Sequence, residues 1–260
     1  MSLLRVENLS KSFVVERGGE VRHVNVLQNL SFTVPEGGFV TIIGPSGCGK
    51  STLLNILVGL LPPSAGSITV AGHTYNGRLH PGFKRRIGYI TQNDNLFPWR
   101  LVFDNVRYPL ELAGVPLPEQ KERVGELLEM VGLAEFAQHY PHELSGGMRK
   151  RVSLIRTLIY DPPIILMDEP FGALDAYTRT ELHRELLSLW QRTKKTILFI
   201  THDLIEAILL ADRTILLGNR PASVQCEYEV ALPRPRHLEY PLEDQQFTEL
   251  YLRVLKEFKR

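Results

Sequence analysis

Three short runs of the chain are apolar almost from end to end: "FVTII" at 39–43, "IILMD" at 164–168 and "TILFITH" at 196–202. A strand with one wet face alternates. One that is apolar throughout is buried on both faces, so these runs predict parallel strands between layers of helices. The opening third reads differently. There "LLRVENL", "VLQNLSFTV" and "GSITVAG" alternate or cluster β-forming residues between turn residues and predict further strands. Helical periodicity fills the gaps. Val124, Leu127, Leu128 and Val131 fall at i, i+3, i+4 and i+7, and Leu182, Leu186, Leu189 and Trp190 make a second stripe, both expected to be core faces. From Gln92 to Leu144 the pattern is helical and proline-punctuated with no clear central strand, which predicts a helical lobe inserted into an α/β core. Glu16–Asn25 carries a Gly-Gly pair and is expected to form an exposed hairpin tip. The end, from Pro233, opens on "PRPRHLEYP" and closes on an amphipathic helical segment, "EDQQFTELYLRVLKEFK".

Composition narrows the class. At 260 residues the chain has enough length for a full core, and 43% hydrophobic with 23% charged residues is ordinary for a globular protein. Thirty Lys and Arg against 29 Asp and Glu leave no basic excess, which argues against a dedicated nucleic-acid binder. Two cysteines, Cys48 and Cys226, are too few for a disulfide framework and suit a reducing compartment. The first dozen residues, with charges and no long apolar core, do not read as a secretory signal. No run of eighteen apolar residues occurs, so no transmembrane helix is expected.

The segment "GPSGCGKST" joins the first buried run to an apolar helical pattern. Gly44, Gly47 and Gly49 let backbone N–H groups turn inward, with Pro45, Ser46 and Cys48 between them, and the turn makes a nest for phosphate oxygens. The helix that follows points its positive end at the same anion. Lys50 adds a point charge for the β- and γ-phosphates, Ser51 offers a hydroxyl to Mg²⁺, and Thr52 continues the helix start. The bland alternative is a chance glycine-rich turn, with Cys48 a small loop residue. The second buried run ends in Asp168, placed to hold Mg²⁺, and Glu169 is suited to polarise an attacking water. Alone, the pair could equally cap a strand at the surface.

After these motifs, "LSGGM" (Leu144–Met148) resembles the signature of ATP-binding-cassette (ABC) ATPases, and other cassette elements follow the family's order. Gln92 resembles the Q-loop glutamine, Asp175 in "GALDA" the D-loop, and His202 in "ITHD" the switch histidine. Phe13 stands where the family has an aromatic under adenine. Each has a bland reading too: a turn residue for Gln92, a core or cap histidine for His202, a solvated or interfacial face for the basic run Arg149–Arg151. The resemblance implies a P-loop NTPase core with an antiparallel β lobe and the helical lobe, as residues 1–235, with the lobe over 93–160 and a tail over 236–260. It implies ATP and Mg²⁺, the ion placed by Ser51, Gln92 and Asp168. Catalysis falls to Glu169, His202, Lys50 and Gln92. It further implies a head-to-tail dimer in which Ser145, Gly146 and Gly147 of one copy cover the nucleotide of the other.

The segment "NLFPWRLVFDNVRYPLELAG" (Asn95–Gly114), with "MDEPFGALDAYTR" and "ALPRPR", resembles the nitrate/sulfonate/taurine importer family. "LGNRPASV" departs from it, where serine-proline-arginine-proline-glycine is expected. A packed turn with a half-buried indole is the bland reading of Pro98–Arg100. The resemblance implies a peripheral subunit on the cytoplasmic side of the inner membrane, with separate permease subunits and, indirectly, a solute-binding protein, and no nucleic-acid partner. A soluble cassette machine acting on nucleic acid or ribosomes, and an exporter ATPase, are the alternatives.

Overall fold

The computed structural model describes residues 2–17, 20–76, 86–172, 174–236 and 238–259. Two sheets pack around one helix. The first is antiparallel, of order β2-β1-β4-β5, from β1 (Ser2–Arg17), β2 (Glu20–Pro35), β4 (Ala65–Val70) and β5 (His73–Tyr75). The second has the order β10-β9-β3-β8-β7-β6. Its members are β3 (Phe39–Ile43), β6 (Ile87–Ile90), β7 (Ile164–Asp168), β8 (Thr196–Thr201), β9 (Arg213–Leu217) and β10 (Val224–Glu229). All pairings in it are parallel except β9 with β10.

The apolar runs are the parallel strands, and their period of two splits them between two cores. Val40, Ile42, Leu166, Leu198 and Ile200 face the cluster built on helix α1 (Lys50–Leu57) and the antiparallel sheet. Phe39, Ile165, Met167, Ile197 and Phe199 face helix α5 (Ala176–Thr193), whose stripe of Leu182, Leu186, Leu189 and Trp190 is buried. A third cluster unites α2 (Val102–Leu112), α3 (Leu117–Met130) and α4 (Gly146–Leu158) through Val106, Val124, Leu128, Val152 and Ile155. The fourth joins α6 (Leu204–Leu210) to α7 (Gln245–Phe258) through Ile208, Phe247 and Val254, so the final helix lies on the core.

The β1–β2 ribbon is longer than a hairpin tip at Glu16–Asn25 suggests: pairing continues to Arg17↔Glu20, and the Gly-Gly pair itself lies outside the described residues. Asn8 and Asn29 adopt positive φ at irregularities of this ribbon, and their N–H groups are taken up by Ser31 and Ser10 hydroxyls.

After Leu232 the chain crosses the end of α6. Arg236 donates through Nη1 to the carbonyls of Ile208, Leu209 and Ala211, and through Nη2 to those of Val230 and Leu232. Arg234 pairs with Asp212 at 2.9 Å and lies 4.6 Å from the Trp190 ring centre.

Candidate active site

The parallel strands β3, β8, β7 and β6 deliver their C-terminal ends to one edge of the sheet, where open α/β sheets bind ligands. From β3 the chain enters the loop 44–49. Gly47 (φ 76°) and Gly49 (φ 123°) hold conformations that side chains disfavour, and a Cβ on Gly49 would stand 2.8 Å from Val26 Cγ1. The loop can therefore present backbone, not side chains, to its concave side. No side chain caps α1, which leaves its first N–H groups facing the same space. Cys48 is buried, and that burial pushes its thiol up, as befits a small apolar filler.

Lys50 is only 7% exposed. Its ammonium donates to the carbonyls of Gly44 (2.8 Å) and Pro45 (3.1 Å) and lies 3.8 Å from Glu169 Oε1. An open cleft of about 320 Å³ runs past Phe13, Val26, Ser46, Lys50, Thr52, Glu169 and Arg220. Ser51 lines it and its hydroxyl acts to lower the neighbouring Asp168 carboxyl, so two of the three residues assigned to Mg²⁺ by sequence stand together. Burial raises the Asp168 carboxyl, the Glu169 charge adds to this, and Ser51 and Lys50 oppose it.

Glu169 has φ 44°, a costly conformation for a residue with a side chain. Its N–H donates to Ile200 across the sheet at 2.9 Å, which holds the turn, and its Oε2 meets His202 Nδ1 at 2.8 Å. One carboxylate thus bridges Lys50 and His202. Behind His202 lies a buried relay that the sequence did not announce. Thr201 donates to Glu206, whose other oxygen lies 2.7 Å from His183 Nε2 on α5. Glu206 and His183 are ordinary helix positions by pattern. Only the sheet brings their helices together.

Gln92, the third residue assigned to Mg²⁺, follows β6 and is exposed, but it is not among the cleft-lining residues. Its carbonyl accepts from Lys150. Ser145 is the N-cap of α4, with its hydroxyl accepting from Met148 N–H at 3.3 Å. A Cβ on Gly147 would fall 2.8 Å from Thr178 on α5. Asp175 caps α5 by accepting from Thr178 N–H at 3.0 Å, and this bond lowers its carboxyl. None of Ser145, Gly146, Gly147 or Asp175 lines the cleft.

Two bland expectations are corrected. Of the solvated or interfacial face expected at Arg149–Arg151, the solvated reading fails. Arg149 meets Asp94 at 3.1 Å, Lys150 is buried, and Arg151 meets Glu185 at 2.6 Å. Successive helical residues point about 100° apart, and α4 has neighbours in all three directions. Trp99 is not half-buried but 71% exposed, leaning on Phe97, which packs edge-on against Tyr108.

The family profile described as ABC transporter matches residues 27–172, which contain the phosphate-binding loop, Gln92, Ser145, Asp168 and Glu169. The chain belongs to the ABC transporter ATP-binding family. It is 45% identical over 232 residues to the taurine import ATP-binding protein of Rhizobium johnstonii, covering 89% of this chain and 86% of that one. It is 40% identical over 255 residues to the aliphatic sulfonates import ATP-binding protein of Bacillus cereus, covering 98% and 95%. The dimeric structure of a bacterial ABC transporter cassette superposes with a TM-score of 0.75 at 34% identity, covering 88% of this chain and all of that one. The fold is thus the P-loop NTPase core of ABC cassettes, and the protein hydrolyses ATP with Mg²⁺. The residues present fit that ion. Among the described residues no group of three or more His, Cys, Asp or Glu forms a protein-only metal cage. A hydroxyl and one carboxylate beside a phosphate nest is the donor set Mg²⁺ takes when phosphates complete its shell. Among the described residues no helix is long and apolar enough to cross a membrane.

Proposed function

We propose that this ABC ATPase is the energising subunit of an importer for a small solute of the nitrate, sulfonate or taurine kind. It would sit peripherally on the cytoplasmic face of the inner membrane, bound to separate permease subunits that a solute-binding protein feeds. The import roles of its taurine and sulfonate relatives support the importer reading over exporter or nucleic-acid work. Exposed Trp99, seven residues past Gln92 and seated on half-buried Phe97, supplies a surface for the permease contact. We further assign residues 1–235 to the cassette, with its helical lobe over 93–160, and 236–260 to the tail.

The observation that carries the reading is the separation of two anion-ready turns. The cleft at the phosphate-binding loop contains no residue of 144–148, although Ser145–Gly147 opens a helix N-terminus of its own. A second copy turned head to tail places that N-terminus over the γ-phosphate that Lys50 and the loop amides hold. Phe13 stacks on adenine, Ser51 with Asp168 and Gln92 positions Mg²⁺, and Asp175 lies at the seam between copies. Mg²⁺, when bound, neutralises charge on the β- and γ-phosphate oxygens. Glu169 accepts the proton of the attacking water, and His202 fixes the orientation of that carboxylate and braces the γ-phosphate. Positioning and electrostatics then supply most of the acceleration.

The test is Glu169→Gln, which keeps size and the bond to His202 but removes the base. Turnover should fall by roughly 10²–10⁴ while ATP still binds and a nucleotide-trapped dimer elutes on size-exclusion chromatography. Hydrolysis at a near-normal rate would remove Glu169 from the role.

A further inference from the structure

The loop between β9 and β10 carries the segment "GNRPAS", which departs from the importer pattern and to which the reading above gives no task. It is firmly placed. Gln28 N–H donates to the Ala222 carbonyl and Ala222 N–H to the Val26 carbonyl, each at 2.9 Å, and Ala222 is fully buried. This stitching lays the loop along residues 25–28 of β2, the strand whose Val26 walls the phosphate-binding loop. Arg220 lies at its tip, exposed, and lines the cleft.

Three observations give the Arg220 guanidinium a direction. Its Nε donates to the Asn25 carbonyl at 3.3 Å. Asn25 is opposite Ser12 in the β1–β2 ladder and Val24 is opposite Phe13, so the anchor lies at the Phe13 end of the cleft, away from Lys50. Arg220 also makes no ion pair among the described residues, whereas Lys50, which lines the same cleft, meets Glu169. With Nε engaged, the terminal amino groups keep four N–H donors and a planar face for whatever enters. An exposed arginine without an ion-pair partner among the described residues, anchored one ladder position from Phe13 in the same cleft, is suited to grip a nucleoside, through ribose and ring acceptors or by lying over a purine face.

We infer that Arg220 is a nucleotide-contacting residue that binds the adenosine end of ATP opposite Phe13. This rests on the assignment of the cleft as the ATP site, and the controls keep the two ideas separate. Equilibrium binding of ATP, ADP and inorganic tripolyphosphate would be measured for the full chain and for Arg220→Ala, Arg220→Lys, Phe13→Ala and Lys50→Ala. Arg220→Ala should weaken ATP and ADP alike by about fivefold to tenfold and leave tripolyphosphate within twofold, the same signature as Phe13→Ala. Arg220→Lys, which keeps charge but loses the planar fork, should recover less than half of the loss. Lys50→Ala should instead weaken tripolyphosphate and ATP together. Unchanged ATP affinity in Arg220→Ala, with Phe13→Ala and Lys50→Ala both weakened, overturns the inference and leaves the site standing. Equal loss of ATP and tripolyphosphate in Arg220→Ala overturns the adenosine placement. If neither control weakens ATP, the cleft assignment itself fails. A loop merely loosened by the substitution would lower the melting temperature and affect tripolyphosphate too, so both readings are taken on the same samples.

Discussion

Replacing Arg236 by methionine isolates one bond cluster that holds the tail to the core. The guanidinium sends four N–H groups of Nη1 and Nη2 to five carbonyls, at 2.7 to 3.3 Å. Two of these carbonyls, on Ile208 and Leu209, belong to the last turn of α6, which has no intrahelical donors left for them. A positive charge at a helix C-terminus is favourable besides. Hydrogen bonds to a charged group are each worth about 1.5–3 kcal/mol, so the gross loss is several kcal/mol. Against it stands the cost of burying the charge. Burial, with repulsion from neighbouring Arg234, pushes the Arg236 guanidinium down to about 10, and its buried Nε has no partner among the described residues. Each buried carbonyl left unsatisfied costs about 1–3 kcal/mol, which with the relieved desolvation of the charge sets a net loss of about 3–5 kcal/mol. Water reaching the freed carbonyls places the expected value near the lower end, about 3 kcal/mol. Unfolding entropy of about 2.1 cal/mol/K per residue over a chain of this length converts that to a fall of about 5 °C in melting temperature. Differential scanning fluorimetry on nucleotide-free protein reads it directly. Arg236→Lys, with a single ammonium unable to reach both groups of carbonyls, should fall in between. A shift below 1 °C for methionine would refute the reasoning, since it would mean that desolvation cancels the bonds.

Phe13→Ala should weaken ATP binding roughly tenfold, from the loss of about 1–3 kcal/mol of stacking, while Phe13→Tyr is tolerated; isothermal titration checks both. Trp99→Ala should lose permease binding, scored by co-purification, with basal ATPase activity largely kept, because the indole is exposed and, among the described residues, Phe97 is the only ring it touches. Mixing a Lys50→Ala subunit with a Ser145→Arg subunit, each inactive alone, should restore partial ATPase activity by leaving one composite site intact. An ATP-dependent Ser46→Cys to Ser145→Cys crosslink between copies, with Cys48 and Cys226 replaced by serine, should form as well, and its absence under trapping conditions would count against the shared site.

The fold class was legible because its signals are local. "FVTII" and "IILMD" announce buried parallel strands by themselves, and the glycines of the phosphate-binding loop sit where a strand must turn into a helix. Ser51 and Asp168, 117 positions apart, are read separately and are joined only by the sheet order that sets β8 between β3 and β7. Residues whose partners are distant and whose own pattern is ordinary escaped. The basic run at Arg149–Arg151 looks solvated until Asp94, Gln92 and Glu185 are brought to it. Nothing near Glu206 predicts His183, because the contact depends on how α5 and α6 lie across β8. At Trp99 only the bland reading fails: an indole beside proline is usually packed, and here Tyr108 takes the packing against Phe97 in its place.

Many of the cations in this chain are satisfied by main-chain carbonyls. Lys150 meets Gln92, Arg156 meets Asp94 and Asn95, Arg123 meets Ile159, Arg213 meets Thr33 and Arg236 meets its five. A carbonyl has no proton to gain in mild acid, so these ties persist where carboxylate pairs dissolve. It also belongs to every residue type. The side chains at 95, 159 or 208 therefore do not decide these bonds, and buried Ile159 and Ile208 answer to packing instead, whereas the lysine or arginine opposite decides the bond directly. The demand these bonds place on the sequence is one-sided: it falls on the donors that hold the lobe and the tail, and not on the side chains of the residues that accept.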